Sequence, residues 1–354
     1  MRFPEFSGEW KKYSLGEVAD FVKERISTDK LTLTTYVSTE NMRSDFGGIN
    51  PAISIPNNTN VIHYKKRDVL LSNIRPYLRK VWSANYDGGC SADVFVFRAK
   101  HITPFFLYYI IANDTFINYV ISGAKGVKMP RGDKEQMLKY TFSIPTMEEQ
   151  NKISHILHLL DDRISTQNKI IDKLQSLIKG IAQKIVRNNK PNVRLSECVE
   201  CSSSTLQESD VYEHGTYPVY GANGIVGYLD NYNTEGEAVY IIKDGSGVGS
   251  VSYATGKCSA TGTLNTLQAK DGYSLQYLYY LLKVFNFEPY KTGMAIPHIY
   301  FKDYGKAKIF CPSYTEQLQY ARLLSAIESK LSAEQNIKTN LTLQKQYLLR
   351  QMFI

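Results

Sequence analysis

Two long stretches of the chain carry apolar residues at alternating steps of four and three. Spacing of this kind is typical of the a and d positions of a coiled coil. Each stretch covers about forty residues, so the pattern predicts two helices, each roughly 60 Å long. In the first helix the predicted seam consists of Ile153, Leu157, Leu160, Ile164, Gln167, Ile171, Leu174 and Ile178. In the second it consists of Leu324, Ile327, Leu331, Glu334, Leu341 and Leu348, with Lys338 and Lys345 as further interruptions.

The chain is also an internal repeat. A shift of 167 residues aligns Gly126–Arg187 with Gly293–Ile354 without a gap and superposes Pro130 on Pro297 and Glu149-Gln150 on Glu316-Gln317. Further upstream, Leu107-Tyr108-Tyr109 recurs as Leu278-Tyr279-Tyr280. A repeat this long indicates a duplicated domain rather than a solenoid.

The segment before each long helix combines short β-rich runs with an apolar, aromatic segment. Residues 68–72 and 93–97 predict strands, with counterparts at 238–242 and 263–267, while 104–112 and 275–284 predict packing helices. The expected fold class is α+β, with two pseudo-symmetric β-rich α/β domains joined by two long helices that form an antiparallel coiled coil. The expected divisions are residues 1–145, the helix 146–188, residues 189–313 and the helix 314–354.

Antiparallel pairing follows from the repeat, since duplicated units usually pack about an approximate twofold axis. The middle of the first helix is close to Gln167, and the repeat maps this residue onto Glu334. Midpoints face each other in an antiparallel pair, so the two side chains should come within reach. A buried polar layer of this kind fixes register at some cost in stability. The alternative is a rotated seam that leaves both residues in solvent.

Charge points towards an anionic partner. The 354 residues hold 42 Lys and Arg against 34 Asp and Glu, a net charge of +8. Residues 1–145 hold 20 basic and 14 acidic residues, whereas residues 189–313 hold 10 and 12. Neither a signal peptide nor a membrane span is evident, so a cytoplasmic protein with reduced thiols and no membrane partner is expected. Cys198 and Cys201 have C-x-x-C spacing but no second ligand pair nearby, which disfavours zinc.

Several short motifs occur in a fixed order along the chain, namely Leu70-Leu71-Ser72-Asn73-Ile74-Arg75-Pro76, Lys128-Met129-Pro130-Arg131-Gly132-Asp133, Ile144-Pro145 before Glu149-Gln150, residues 217–224 and Lys243-Asp244-Gly245-Ser246. In the order and duplication of these motifs the chain resembles, over essentially its whole length, the specificity (S) subunit of type I restriction–modification enzymes. The resemblance implies that residues 1–145 and 189–313 are target recognition domains, each reading half of a bipartite site on double-stranded DNA. It further implies that the helices dock two methyltransferase (M) subunits, which restriction (R) subunits then join. S-adenosylmethionine, Mg²⁺ and ATP are expected only on those partner subunits, and no metal or catalytic residue on this chain.

Catalytic motifs were sought and none was found. The chain has no Pro-Pro pair, which an amino-methyltransferase needs to hold the target amine. Glu328-Ser329-Lys330 has part of a nuclease pattern, but it lies in the second long helix and is interpreted as a solvated pair. The glycines at 245, 247 and 249 do not match a phosphate loop and indicate a close backbone approach. For His155 and His158, core packing or partner contact is favoured over metal binding.

Candidate DNA contacts are basic residues and loop residues in the two domains. Arginine is the residue most suited to reading guanine, and lysine to holding phosphates. For each position the alternative is an ordinary surface residue. The first domain offers Lys65, Lys66, Arg67, Arg75, Arg79, Lys80, Lys125, Lys128, Arg131 and Lys134, and the second offers Lys243, Ser246, Ser250, Lys257, Lys291 and His298.

Three other functions remain open at this point. The chain could serve a modification-only methyltransferase complex without a restriction subunit. A self-contained enzyme that fuses recognition to methyl transfer is disfavoured by the missing motif. A purely structural coiled-coil adaptor is disfavoured because two large β-rich domains would then have no task.

Overall fold

The chain divides into two compact units in the computed structural model, which describes residues 3–126, 128–293 and 296–352. Unit 1 contains the residues up to Thr166 and those from Lys338 onward, and unit 2 contains Gln167–Ile337. Each unit therefore holds one globular part and a portion of both long helices. The finer division into residues 1–145, 146–188, 189–313 and 314–354 stays a prediction.

Unit 1 is a mixture of short strands and helices. Its strands are β1 (Lys11–Ser14), β2 (Ala19–Phe21), β3 (Arg25–Ser27), β4 (Tyr36–Val37), β5 (Asn60–Tyr64), β6 (Val69–Ser72), β7 (Val81–Ser83), β8 (Gly88–Cys90), β9 (Val94–Ala99) and β10 (Thr141–Ile144). Its helices are α1 (Leu15–Val18), α2 (Pro104–Ile111), α3 (Asp114–Ser122), α4 (Lys134–Leu138) and the first part of α5 (Met147–Asn188).

Unit 2 repeats much of this order. Its strands are β11 (Val193–Arg194), β12 (Val199–Ser203), β13 (Tyr217–Gly221), β14 (Gly224–Leu229), β15 (Glu237–Ile242), β16 (Val251–Thr255), β17 (Ser259–Ala260), β18 (Leu264–Ala269) and β19 (Lys308–Ile309). Its helices are α6 (Leu195–Cys198), α7 (Leu275–Leu282), α8 (Phe301–Tyr304) and the first part of α9 (Tyr314–Met352).

The main sheet has the same strand order in both units. It is β2-β9-β6-β7 in unit 1 and β12-β18-β15-β16 in unit 2, antiparallel throughout. The four predicted strands are β6, β9, β15 and β18, and the two predicted packing helices are α2 and α7. A second sheet differs between the units, β3-β5-β8-β4 against β14-β13-β17. The duplicated part of the fold therefore includes the main sheet with its packing helix, and also the two-stranded antiparallel sheets β1-β10 and β11-β19.

Each packing helix lies between the main sheet and the long helices of its own unit. In unit 1, Phe106 and Ile110 of α2 share one buried core with Val69 and Leu71 of β6. The same core includes Ile153 and Leu157 from the start of α5, together with Leu349 and Met352 from the end of α9. Removing this apolar surface from water is the main force that holds each globular part on its helices.

The two long helices run antiparallel within each unit. The start of α5 packs with the end of α9 in unit 1, whereas in unit 2 Ile178 and Ile185 near the end of α5 pack with Ala321 and Leu324 near the start of α9. The predicted α+β fold with an antiparallel helix pair is confirmed. Of the seam residues, the buried ones are Ile153, Leu157, Gln167, Ile171, Ile178, Leu324, Glu334 and Leu341, and the half-buried ones are Leu160, Ile164, Leu174, Ile327, Leu331 and Leu348.

The expected polar layer is present in unit 2. The Gln167 amide nitrogen lies 3.2 Å from the Glu334 carbonyl oxygen and also donates to the Glu334 carboxylate. Lys330, one turn earlier, contacts the same carboxylate at 2.5 Å. These hydrogen bonds from Lys330 and Gln167 lower the pKa of Glu334 below its usual value near 4.5. The carboxylate therefore stays charged although its side chain is buried.

A buried glutamine ties each long helix to its packing helix. The Gln150 side-chain oxygen accepts from the Thr103 backbone N–H just before α2 at 2.9 Å, and its nitrogen donates to the Pro145 carbonyl at 3.0 Å. In unit 2, the Gln317 side-chain oxygen accepts from the Ser274 backbone N–H just before α7, and its nitrogen donates to the Pro312 carbonyl, both at 2.9 Å. The glutamine of the repeated Glu-Gln pair thus satisfies backbone groups that would otherwise be buried without partners.

A carboxylate on the long helices makes a second repeated tie. The Tyr109 hydroxyl donates to Asp161 at 2.9 Å, and the Tyr280 hydroxyl donates to Glu328, the repeat position of Asp161, at 2.7 Å. A lysine neutralises each carboxylate, Lys345 at 2.5 Å and Lys283 at 3.0 Å. Lys345 interrupts the apolar seam because it is the partner of Asp161.

One interpretation from the sequence is wrong. Glu328 is half-buried against α7 and bonded to Tyr279, Tyr280 and Lys283, so it does not form a solvated pair with Lys330. His155 and His158 are exposed, so of the two alternatives that were favoured over metal binding, core packing does not apply and partner contact stays a prediction. His158 lies beside Phe105 and 3.7 Å from Asp162. The side chain of Glu328 is covered by α7 of its own unit. The side chains of His155 and His158 are on the part of α5 that is left exposed.

The polar layer leads to a stability prediction. Replacing both Gln167 and Glu334 by leucine should raise the melting temperature by a few degrees, because apolar pairs avoid the desolvation of a buried charge. The pH dependence should change as well. A lowered pKa in the folded state stabilises the native protein above about pH 4.5, and this contribution is lost as pH falls towards the folded pKa. The leucine pair should therefore lose less stability on acidification, as measured by circular dichroism melts from pH 7 to pH 3.

The single variant Gln167→Leu is the matched control. It leaves the Glu334 carboxylate without its amide donor and should lower the melting temperature. A double variant that melts below the wild type, or a neutral Gln167→Leu, would contradict this account of the layer.

Candidate nucleic-acid interface

Two loops of unit 1 are held together beyond the end of β6. Ile74 forms a β-bridge with Arg131, and the Arg75 backbone N–H donates to the Pro130 carbonyl at 2.9 Å. Lys125 and Arg131 exchange two backbone hydrogen bonds of 2.9 Å each. We call these segments the bridged loops of unit 1: residues 73–76 with residues 125, 126 and 128–134.

Unit 2 contains the same arrangement beyond β15. Asp244 forms a β-bridge with His298, and the Gly245 N–H donates to the Pro297 carbonyl at 3.0 Å. Thr292 and His298 exchange backbone hydrogen bonds of 2.9 and 2.8 Å. The bridged loops of unit 2 are residues 243–246 with residues 291–293 and 296–299. The duplication therefore extends from the sheet to the loops that follow its central strand.

Arg75 has a backbone conformation that favours glycine. Its φ is +51°, whereas the corresponding Gly245 in unit 2 has a φ of +94°. The left-handed region is uncommon for a residue with a Cβ atom and is strained unless something else fixes it. Unit 1 thus keeps an exposed arginine where unit 2 has the residue that the backbone prefers.

The other predicted cations of these loops vary in how far they are neutralised. Lys125 lies 2.8 Å from Asp133, and this hydrogen bond raises the pKa of Lys125 and lowers the pKa of Asp133. Arg131 lies 3.2 Å from Asp93. Lys128 is exposed, and Lys134 lies over the Phe95 ring at 4.9 Å.

Two further cations lie beside the bridged loops of unit 1 but are already engaged. Arg79 contacts Asp45 at 3.5 Å and Asp114 at 3.2 Å. Lys80 donates to the Thr39 carbonyl at 2.6 Å. Both are half-buried, so their side chains are committed to structure within unit 1.

The remaining cations lie elsewhere. Lys65, Lys66 and Arg67 precede β6, so roughly 13 Å of strand separates them from Arg75. Lys65 lies 3.2 Å from Glu24, whose pKa is lowered by hydrogen bonds from Arg98 and Lys65. In unit 2, Lys257 follows β16 near the start of β15 and lies over Tyr232 at 4.7 Å. The predicted set therefore divides between two ends of each main sheet.

The bridged loops of unit 2 border a concave site of about 440 Å³. Lys243 and Ile299 line it, together with Ser203, Asn265, Tyr300 and Lys302. Lys302 is exposed and was missed by the sequence prediction. The repeat aligns Lys302 with Glu135, and this change from a negative to a positive charge was the signal in the sequence that could have identified it. Lys291 is paired with Glu288 at 2.6 Å, and the exposed Ser246 and Ser250 lie on the glycine-rich turn before β16.

The cysteines of unit 2 are buried or half-buried. Cys198 lies 3.9 Å from Cys311, sulfur to sulfur, and burial raises the pKa of Cys201 to about 11. Over the described ranges, no group of three or more His, Cys, Asp or Glu side chains is placed to hold a metal ion. None of the helices in those ranges is both long and apolar enough to cross a membrane.

The fold and these duplicated loops define a class of protein built from two similar α+β units, each of which packs on antiparallel portions of two long helices. The model of the type I restriction modification DNA specificity domain matches residues 7–176 and 189–343. The chain therefore belongs to the family of specificity subunits of type I restriction–modification systems.

Individual relatives agree with this family. The specificity subunit of the type I restriction enzyme EcoDI from Escherichia coli is 23% identical over 186 residues, 52% of this chain and 42% of the relative. A putative specificity subunit from Haemophilus influenzae is 29% identical over 128 residues, 35% of this chain and 33% of the relative. The chain thus spans less than half the length of these curated relatives.

Solved structures share the fold. The S subunit of a type I restriction–modification system from M. genitalium superposes with a TM-score of 0.71 at 16% identity, covering 99% of this chain and 97% of that one. A structure described with the assembly and conformational transition of the type I system gives a TM-score of 0.54 at 20% identity, covering 98% of each chain.

The bridged loops should depend on the glycines that open them. Gly293 has a φ of +89°, and a Cβ atom there would lie 2.3 Å from the Ile296 carbonyl oxygen. Gly293→Ala should therefore break the Thr292–His298 bridge, and hydrogen exchange of these two amides should accelerate at least tenfold with little change in global stability.

Gly272→Ala is the matched control, because Gly272 also has a positive φ, +85°, but nothing lies within 4 Å of its Cβ position. Unchanged protection of the Thr292 and His298 amides in Gly293→Ala would show that the steric argument for the loop is wrong.

Proposed function

We propose that the chain is a DNA-binding specificity subunit that performs no catalysis itself. Each unit binds one half of a bipartite site on double-stranded DNA through its bridged loops. The observation that carries this proposal is the duplication of the bridge at the same end of the same sheet, with the exposed Arg75 on the bridged loops of unit 1.

The charges of the loops fit a nucleic acid. Arg75 and Lys128 are exposed in unit 1, and Lys302 is exposed in unit 2. An arginine can bond to base edges in a DNA groove, whereas a lysine more often holds a phosphate. Residues 189–313 hold more acidic than basic residues, so unit 2 relies on local positive charge. Lys243 and Lys302 supply it at the concave site, where Asp244 is the acidic residue of the lining.

The exposed faces of α5 and α9 are proposed to dock the methyltransferase subunits. Large apolar side chains are exposed on both helices, namely Leu159, Leu343 and Tyr347 in unit 1 and Leu177, Leu323 and Ile337 in unit 2. A docked subunit would remove this apolar surface from water, and that burial would favour the complex. S-adenosylmethionine, Mg²⁺ and ATP belong to partner subunits in this proposal, and a modification-only complex would use the same two surfaces.

Arg75→Gly tests DNA binding without a folding artefact. Glycine suits the positive φ and is the residue found at position 245, so this variant should be at least as stable as the wild type. The wild-type chain should enrich a bipartite sequence from a pool of random 40-bp duplexes. On that duplex Arg75→Gly should weaken binding about tenfold, flatten the salt dependence and relax the preference at one base pair.

Arg67→Gly is the matched control, since Arg67 is exposed, has a φ of +75° and lies at the opposite end of β6. It should bind within about twofold of the wild type. Failure of the wild type to enrich any duplex would overturn DNA recognition. Loss of binding only in Arg67→Gly would place the contact at the other end of the sheet.

Pull-down with candidate methyltransferase subunits, followed by footprinting, distinguishes the alternatives. A specificity subunit should recover the partner and give a footprint in two separated parts. A self-contained enzyme would transfer methyl groups without the partner, and a structural adaptor would give no footprint.

A further inference from the structure

Both pairs of bridged loops expose one large apolar side chain. Met129 is 49% exposed and Ile296 is 67% exposed, and the two residues are equivalent in the repeat. A single exposed apolar residue is ordinary on a protein surface. Here the same position is apolar and exposed in two independent copies, each time directly before a proline.

Hydrogen bonds hold the described backbone of both loops. In unit 1, Lys125 and Arg131 close the loop by two hydrogen bonds, and the Pro130 carbonyl accepts from the Arg75 N–H. The equivalent bonds in unit 2 join Thr292 to His298 and Gly245 to Pro297. Gly126 and Gly293 have φ values of +97° and +89°. These bonds order the described part of each loop before a partner binds, which lowers the entropic cost of binding.

The exposed residue is apolar in both units, Met129 in unit 1 and Ile296 in unit 2, whereas residues close to it in the loop differ between the units. Lys125 and Arg131 of unit 1 correspond to Thr292 and His298 of unit 2. Residues that read different bases are expected to differ between the two halves, whereas a residue with a common task is expected to stay alike. The exposed cations around the loops, Lys128 in unit 1 and Lys302 in unit 2, favour a polyanion as the partner.

We propose that Met129 and Ile296 are wedge residues, each inserted at a base step of double-stranded DNA in its own half-site. Methionine and isoleucine are among the side chains that enter a base stack from a groove and kink the duplex. The lost stacking is offset by burial of the apolar side chain and by closer approach of the surrounding cations. This inference rests on the proposed DNA binding and adds the way in which both units engage the duplex.

The test uses the full chain and the duplex enriched from the random pool, with 2-aminopurine placed at successive positions. Wild-type protein should increase 2-aminopurine fluorescence at one step in each half-site. Met129→Ala should remove the increase in one half-site and weaken binding about tenfold, and Ile296→Ala should do the same in the other half-site. Met129→Leu, which keeps an apolar side chain of similar volume, should retain both.

Two exposed apolar residues elsewhere serve as controls, Ile53 in unit 1 at 92% exposure and Ile225 in unit 2 at 53% exposure. Their alanine variants should bind within twofold of the wild type. Binding by Met129→Ala and Ile296→Ala that equals the wild type would overturn the inference. The inference would also be overturned if the wild type produced no fluorescence increase while the alanine variants bound more weakly and had an altered preference at one base pair. That result would indicate contact with a thymine methyl group instead of insertion at a base step. If the wild type enriches no duplex, the proposed function fails and this inference fails with it.

Discussion

The buried glutamine at the start of each long helix is the interaction on which the rest of each unit depends. Gln150 and Gln317 each join a proline carbonyl at the helix entry to the backbone before the packing helix. A buried amide that lost either partner would leave an unsatisfied backbone group, which costs about 1–3 kcal/mol. The packing helix is thereby fixed on the long helix, and the main sheet is fixed on the packing helix. About three helical turns further along each long helix, the hydrogen bonds of Tyr109 to Asp161 and of Tyr280 to Glu328 connect the packing helix to the long helix a second time.

These contacts also position the bridged loops within each unit. One segment of each pair of bridged loops directly follows a buried inner strand of the main sheet, β6 in unit 1 and β15 in unit 2. The other segment of each pair is closed by two backbone hydrogen bonds. The strain at Arg75 is held by that closure. In the proposed function, recognition then depends on a few side chains on a rigid base, and the surrounding sequence is free to vary with the target.

The repeat allowed much of this fold to be predicted from the sequence. Together with the β-rich runs and the coiled-coil spacing, it predicted β6, β9, β15 and β18, both packing helices and both long helices, and it paired Gln167 with Glu334. Seam positions were predicted because a coiled-coil spacing is a local signal. The burial of Glu328 could not be predicted, because it depends on contacts with Tyr279, Tyr280 and Lys283, which lie at another helix.

The candidate site was predicted less completely. Charge alone grouped Lys65 and Arg67 with Arg75, since neither composition nor spacing reveals that β6 separates them. The acidic partners Asp93 and Asp133 also escaped the sequence prediction, because they come from other segments. Met129 and Ile296 looked like ordinary apolar residues until their exposure was known.

The central claim is that the chain is two copies of one reader, each responsible for half of a DNA site. The most direct measurement exchanges residues 1–145 for the corresponding region of another family member and determines the methylated sequence in cells by methylation-aware sequencing, with the methyltransferase partner coexpressed. The account predicts that one half of the methylated site changes while the other half and the distance between them stay the same. A change in both halves together would contradict it.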